Sequence, residues 1–307
     1  MSWIFRVIFW AAFTLILAAG CSGERIYEDE VLAEARSFGF LSVTYSHDRA
    51  KGDGLLVLTT SAQFVRYTDM SRRQVELLLA LPLDPSEDLP IEDMCKIYDL
   101  SVDPSLDSEE GGEERGNVEL LEAGELKVQT SAGLLTLVPR HFPGLLPFIG
   151  GVIYGETQAT EVEKVGEVVA FSDGGEDVGE FRVQQIASPV LPGLVFEDNG
   201  DPNQGGRVLV VGGGLSLRWT PGEAEGDTAY IEVRSSRNKR DLVLRCRPQD
   251  DGAFEIPPAA LSELVVEGGD QIVLDISRFH RAEFVAPGLD QGELRVTVSD
   301  RVSIQLQ

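Results

Sequence analysis

Three cysteines, three histidines and 51 carboxylates are the residues with the most chemistry to offer. The histidines, His47, His141 and His280, are far apart, and none stands in an HExxH pattern. A zinc site would need scattered ligands. No CxxC or GxSxG motif is present, so the common local signatures of redox and nucleophile-elbow acyl-transfer chemistry are missing. His47-Asp48 is an acid–base couple by residue type alone. It sits in YSHDRAKGDG, which reads as a polar turn. A hard cation needs several oxygens aimed at one centre. EDNGDPNQGG offers Glu197, Asn199, Asp201 and Asn203 at alternate positions, a weak candidate calcium loop. An EF-hand would have glycine where this chain has Pro202, and a glutamate where it has Val208. An acidic linker of turn residues is the other reading. The glycines of VVGGGLSLRW follow a strand-like run, but alternating sequence succeeds them rather than a helix. A dinucleotide site needs that helix, so these glycines read as a bulge or hairpin turn. Cys95 and Cys246 either pair as a disulfide across the fold or stay as two separately buried thiols. Catalytic residues: none are assigned.

The elements that must position these groups are strands. Val, Leu and Thr come in short runs cut by Gly, Pro, Asn and Asp, and the chain has 32 glycines and 15 prolines. That pattern predicts an all-β protein of two β-sandwich-like domains. Residues 37–196 form the first, 197–206 the linker and 207–307 the second. In GELRVTVSDRVSIQLQ, Leu294, Val296 and Val298 alternate with polar residues, as do Val302, Ile304 and Leu306. Two strands joined by a turn at SDR are expected. VELLLALPL (75–83) is a helix or a buried strand. HFPGLLPFIGGVIYG (141–155), apolar yet rich in Gly and Pro, reads as a buried irregular crossover, or as the lining of a partner surface. Residues 99–116 are acidic and apolar-poor, an exposed loop.

The N-terminus is MSWIFRVIFWAAFTLILAAGCSGE. From Val7 to Ala19 it is apolar except for Thr14, about 13 residues, an h-region rather than a bilayer span. Small residues Ala18, Ala19 and Gly20 precede Cys21. This resembles the lipobox of bacterial lipoproteins, with LAAGC carrying the likeness. The place usually held by leucine is Ala18, with Leu17 one step earlier. The resemblance implies a cleaved signal peptide (1–20), a covalent lipid on Cys21 and a tether (21–36). Ser22, rather than aspartate, implies sorting to the outer membrane of a Gram-negative cell. Cleavage by ordinary signal peptidase after Gly20, or a retained helical anchor, are the alternatives.

A second resemblance lies in the C-terminal part. Leu215, Leu217 and Trp219 alternate, Pro221-Gly222 follow, and Tyr230 and Val233 open the next strand. This looks like the B and C strands of a fibronectin type III or related immunoglobulin-like domain, whose tryptophan fills the space between two sheets. The tyrosine of the tyrosine corner is missing, with Gln271 and Ile272 at its place.

The net charge of −25 argues against nucleic acid as a partner, since that requires a basic footprint. It also leaves membrane attachment to the anchor. The expectation is an envelope lipoprotein with a non-catalytic binding or structural role. A membrane, an envelope protein or a polysaccharide would be its partner, and no cofactor beyond the lipid is expected. A β-sandwich hydrolase or carbohydrate-active protein, or a calcium-dependent adhesin, are the alternatives.

Overall fold

The computed structural model describes residues 35–48, 56–79, 81, 89–99, 116–146, 149–160, 165–186, 195–196, 208–209, 214–222, 228–237, 240–264 and 271–306. The fold is all-β and sandwich-like, as the alternation predicts. The strands are β1 (Arg36–Asp48), β2 (Leu56–Thr68), β3 (Met94–Asp99), β4 (Asn117–Leu120), β5 (Leu126–Thr130), β6 (Gly133–Leu137), β7 (Arg140–Leu146), β8 (Ile149–Thr160) and β9 (Glu167–Ser172). They continue with β10 (Phe181–Ile186), β11 (Val195–Phe196), β12 (Val208–Leu209), β13 (Leu215–Arg218), β14 (Thr228–Arg237), β15 (Arg240–Arg247), β16 (Ala253–Ile256), β17 (Gln271–Phe284) and β18 (Gln291–Leu306). Among the described residues two short helices, α1 (Arg72–Leu78) and α2 (Pro258–Leu264), join them. The stretch at 75–83 therefore opens as helix. Ser71 caps α1 in a capping box: its hydroxyl accepts from the Gln74 N–H at 3.2 Å, while Gln74 Oε1 accepts from the Ser71 N–H at 2.8 Å.

One long sheet runs β3-β15-β14-β17-β18-β1-β2-β4-β8-β7, with β12 also on β18. Two small sheets lie on one face of it. The first, β10-β9-β5-β6, closes a core with Leu41, Val43, Tyr45, Phe64, Tyr154, Leu294, Val296 and Val298 of the long sheet. The second, β11-β13-β16, together with α2, closes a core with Ile231, Val233, Leu244, Ile272, Leu274 and Ile276. Trp219 sits in this second core beside Leu215 and Leu217. The opposite face has its own smaller core, where Phe38, Phe40, Val65 and Tyr67 pack with Val75 and Leu81 at and just beyond α1.

The two sandwich layers share strands and do not follow the expected division of the chain. The linker at 197–206 lies outside the described residues, but the sheet crosses the division on both sides. β1 pairs in parallel with β18 from Phe38↔Gln291 to Asp48↔Arg301. β3, from the first expected domain, pairs with β15 of the second. Residues 35–307 form one compact unit.

Three local expectations are corrected. There is no turn at SDR, because β18 runs unbroken through it. Both apolar rows fall on even positions, so Asp300 continues the same face. HFPGLLPFIGGVIYG is not an irregular crossover but contributes to the antiparallel strands β7 and β8. Gly151 explains one of its glycines: its φ is +121°, and a Cβ would stand 1.9 Å from the Leu120 carbonyl oxygen. His47 lies in β1 rather than in a turn.

Cys95 and Cys246 face each other across β3 and β15 and are joined as a disulfide, Cα–Cα 4.0 Å. The bond fixes an edge strand to the sheet and closes a loop of sequence separation 151. In the chain-entropy model such a loop stabilises by about 5 kcal/mol. Replacing both cysteines by alanine should lower the unfolding free energy in urea by up to that amount. A loss below about 1 kcal/mol would show that the reduced, unfolded chain is already constrained.

Candidate functional site

Strand alternation places a band of polar side chains on the face of the long sheet opposite the two small sheets. On β14, Ile231 and Val233 point into the second core, so Tyr230, Glu232 and Arg234 point the other way. The same phase holds for Asp275, Ser277 and Phe279 of β17 and for Glu293, Arg295, Ser299 and Arg301 of β18. Register then lines up Lys96, Arg245, Glu232, Asp275 and Arg301 across five strands. Directly opposed charges of unlike sign stabilise such a ladder, and like charges weaken it. The row has two like-charge neighbours, Lys96 with Arg245 and Glu232 with Asp275, and the two carboxylates are each held by guanidiniums. Arg245 Nε donates to Glu232 Oε1 at 2.9 Å, and Arg234 Nη2 donates to Glu232 Oε2 at 2.7 Å. Arg301 Nε donates to both Asp275 oxygens, at 2.9 and 3.0 Å.

The two buried carboxylates are driven in opposite directions. Burial alone would raise Glu232, but the charges of Arg234 and Arg245 outweigh it and hold its carboxyl below the usual range. Burial raises Asp275, and Arg301 offsets only part of that. Nearby, burial and the Glu232 charge push Tyr230 up to about 12. Further along β18, Glu293 accepts from Arg295 Nη2 at 2.7 Å and Arg72 Nη2 at 3.4 Å. The Arg295 guanidinium stands over the Phe40 and Phe279 rings. Glu232, Asp275 and Glu293 are thus each held by at least one guanidinium.

A second polar group lies on the cored face, between the two cores. There β17 and β18 exchange apolar side chains for Arg278, His280 and Asp300, all buried. His47 Nδ1 is 3.2 Å from Asp300 Oδ1. Arg278 Nη2 donates to Asp250 Oδ1 at 2.8 Å and also to the Thr220 carbonyl. The Trp219 indole N–H donates to the same Asp250 oxygen at 2.8 Å. Burial would raise Asp250, but hydrogen bonds from Arg278 and Trp219 outweigh it and hold it low. Burial, then the Arg278 charge, lowers His280. This seam fastens the second small sheet to the long strands.

Of the residues singled out from sequence, Cys21 and the loop Glu197, Asn199, Asp201 and Asn203 lie outside the described residues. The structure brings together Cys95 and Cys246. Among the described residues no group of three or more His, Cys, Asp or Glu is placed to hold a metal ion. No described helix is long and apolar enough to cross a membrane. Sequence reading missed Glu232, Arg234, Arg245, Asp275 and Arg301. The signal available was the polar phase of YIEVRSS, IVLDIS and SDRVSIQ, where opposite charges recur at matching positions.

No family model matches the chain, and no curated protein matches it. Among solved structures it is similar to the yeast delta-COP-I mu-homology domain, at 7% identity and a TM-score of 0.24, over 89% of this chain and 97% of that one. At that score the likeness carries no argument about fold or function.

Asp250 supplies the acidic partner that keeps buried Arg278 paired. Asp250→Asn should therefore cost about 3–5 kcal/mol, the range for breaking a buried ion pair from one side. The sign with pH follows from the depressed carboxyl. Its contribution is present above the unfolded value near 4 and is lost as pH falls through the lower folded value. Urea unfolding at pH 7 and pH 3 should show the gap between wild type and variant narrowing at the lower pH. A constant gap would show that the carboxyl is not depressed by folding.

Proposed function

We propose that this chain is an exported lipoprotein, held in the bacterial envelope by acyl chains on Cys21, with a non-catalytic binding or structural role. The observation that carries the reading is the stretch LILAAGCSGE behind an apolar run of signal-peptide length. Two or three acyl chains anchor stably where one does not. The outer membrane of a Gram-negative cell is the proposed address, because Ser22 follows the cysteine.

Two features support a binding role over hydrolysis. The carboxylates Glu232 and Asp275 of the polar band are engaged by arginines at hydrogen-bond distance. An acid or nucleophile for glycoside hydrolysis must instead meet the sugar. The band also rests on long, mutually paired strands, the rigid support that a recognition surface needs.

The test is the intact mass of the protein extracted from membranes without reducing agent. The expected species begins at Cys21, carries acyl chains and retains the disulfide. A chain starting at Cys21 without lipid, or one retaining Met1, overturns the anchor.

A further inference from the structure

The polar band is a local reversal in an acidic protein. The whole chain carries −25. Among the described side chains of the five-strand row and of Arg234 beside it, Lys96, Arg234, Arg245 and Arg301 outnumber Glu232 and Asp275 by four to two. The depth of these charges matters as much as their count. The carboxylates lie underneath, with side-chain exposures of 9% for Glu232 and 6% for Asp275. The guanidiniums of Arg234 and Arg301 lie above them at 51% and 45%, and Lys96 is exposed. Anionic charge is therefore buried and cationic charge is presented. Solution ions screen charges beyond about 8 Å at physiological strength, so the acidic remainder of the surface does little to cancel this field.

Arg234 and Arg301 stand on β14 and β18, two strands apart with β17 between them. Two strand spacings and a two-residue offset in register put their backbones about 12 Å apart, a gap that two arginine side chains can close. Glu232 is the main charge acting on Arg234, with a weaker attraction from Asp275 and a weaker still repulsion from Arg301. An anion seated between the two guanidiniums would relieve that repulsion. Each guanidinium is also oriented in advance by its carboxylate, which lowers the ordering cost of binding. A guanidinium is a planar fork suited to paired oxygens. A carboxylate offers two oxygens and fills one fork, whereas a tetrahedral phosphate can meet two forks at once.

We infer that the face carrying Arg234 and Arg301, with Lys96 at its margin, is a binding site for a phosphate group. The inference rests on the binding role proposed above and names the ligand class of that surface. The group is either free phosphate or the headgroup of an anionic phospholipid, and the two sources are separable. Isothermal titration of inorganic phosphate, and in parallel of dihexanoyl phosphatidylglycerol, into the full chain in neutral detergent provides the test. Ionic strength is matched with sodium chloride, and dihexanoyl phosphatidylcholine serves as control. Saturable binding to one site is expected, weakened about tenfold by Arg234→Gln or Arg301→Gln, the loss of one charge-assisted contact. Arg234→Lys keeps the charge that pairs with Glu232 but loses the planar fork, and should weaken binding in the same direction, which guards against variants that disturb the fold. Heat with phosphate marks a free-anion site, and heat with the glycerol lipid alone marks a headgroup site. Equal, non-saturating heats for wild type and all three variants overturn the inference. A protein acylated at Cys21 that binds neither titrant removes this inference alone. A protein without acyl chains that still binds phosphate removes only the anchor.

Discussion

The antiparallel pairing of β17 with β18 is the constraint on which the rest of this structure depends. It runs without a break from Gln271↔Gln305 to Phe284↔Gly292. One end of the pair lies under the first small sheet and the other under the second. The polar seam, the apolar cores and the band of ion pairs all take their places from this one register. A slip of one residue would exchange the faces. It would carry Leu294, Val296 and Val298 out of the first core, put Arg295 into it, and turn Arg301 onto the same cored face. Burial of that many apolar groups, at roughly 1.5–3 kcal/mol each, sets a steep penalty against the slip.

The second constraint is the parallel contact between β1 and β18. The first and last described strands lie side by side in the middle of the sheet, and β17 and β2 flank them. Until β18 arrives, β1 and β17 each present an unpaired edge. Parallel pairs need long connections, and here the connection is nearly the whole chain. That arrangement couples the two cores into one cooperative unit, and the disulfide between β3 and β15 adds a further tie across a sequence separation of 151.

The fold class was legible in the sequence because half-buried strands write their alternation directly into the residue order. Leu215, Leu217 and Trp219 point into a core as their spacing implies, and so do Leu294, Val296 and Val298. The division at 197–206 was not legible as anything but turn chemistry, since pairing between distant segments leaves no local mark. The expected turn at SDR failed for a related reason. Ser-Asp-Arg is turn-forming in isolation, yet Asp300 is buried beside His47 in the middle of a strand. The shared parity of the apolar residues on either side held that information, and tertiary pairing outweighed local preference. The site was legible only in part. Polar residues in the outward phase of a strand look solvated, and nothing in YIEVRSS distinguishes a buried glutamate from an exposed one.

The ion pairs of the polar band are therefore better understood as an arrangement of depth than as a source of stability. Pairs of this kind often gain little over apolar residues of the same volume, because desolvation opposes the Coulomb attraction. Leaving one partner alone is costly, however, and this locks the group together once it exists. Glu232 takes one arginine on each oxygen, and Asp275 is engaged by Arg301 through both. With the carboxylates sunk and neutralised, the half-exposed guanidiniums become the outermost charges of the band. A chain whose composition is strongly acidic can in this way keep a small cationic surface fixed on its most extensively paired strands. Neither net charge nor motif search reveals such a surface, because its sign is decided by which charges are underneath.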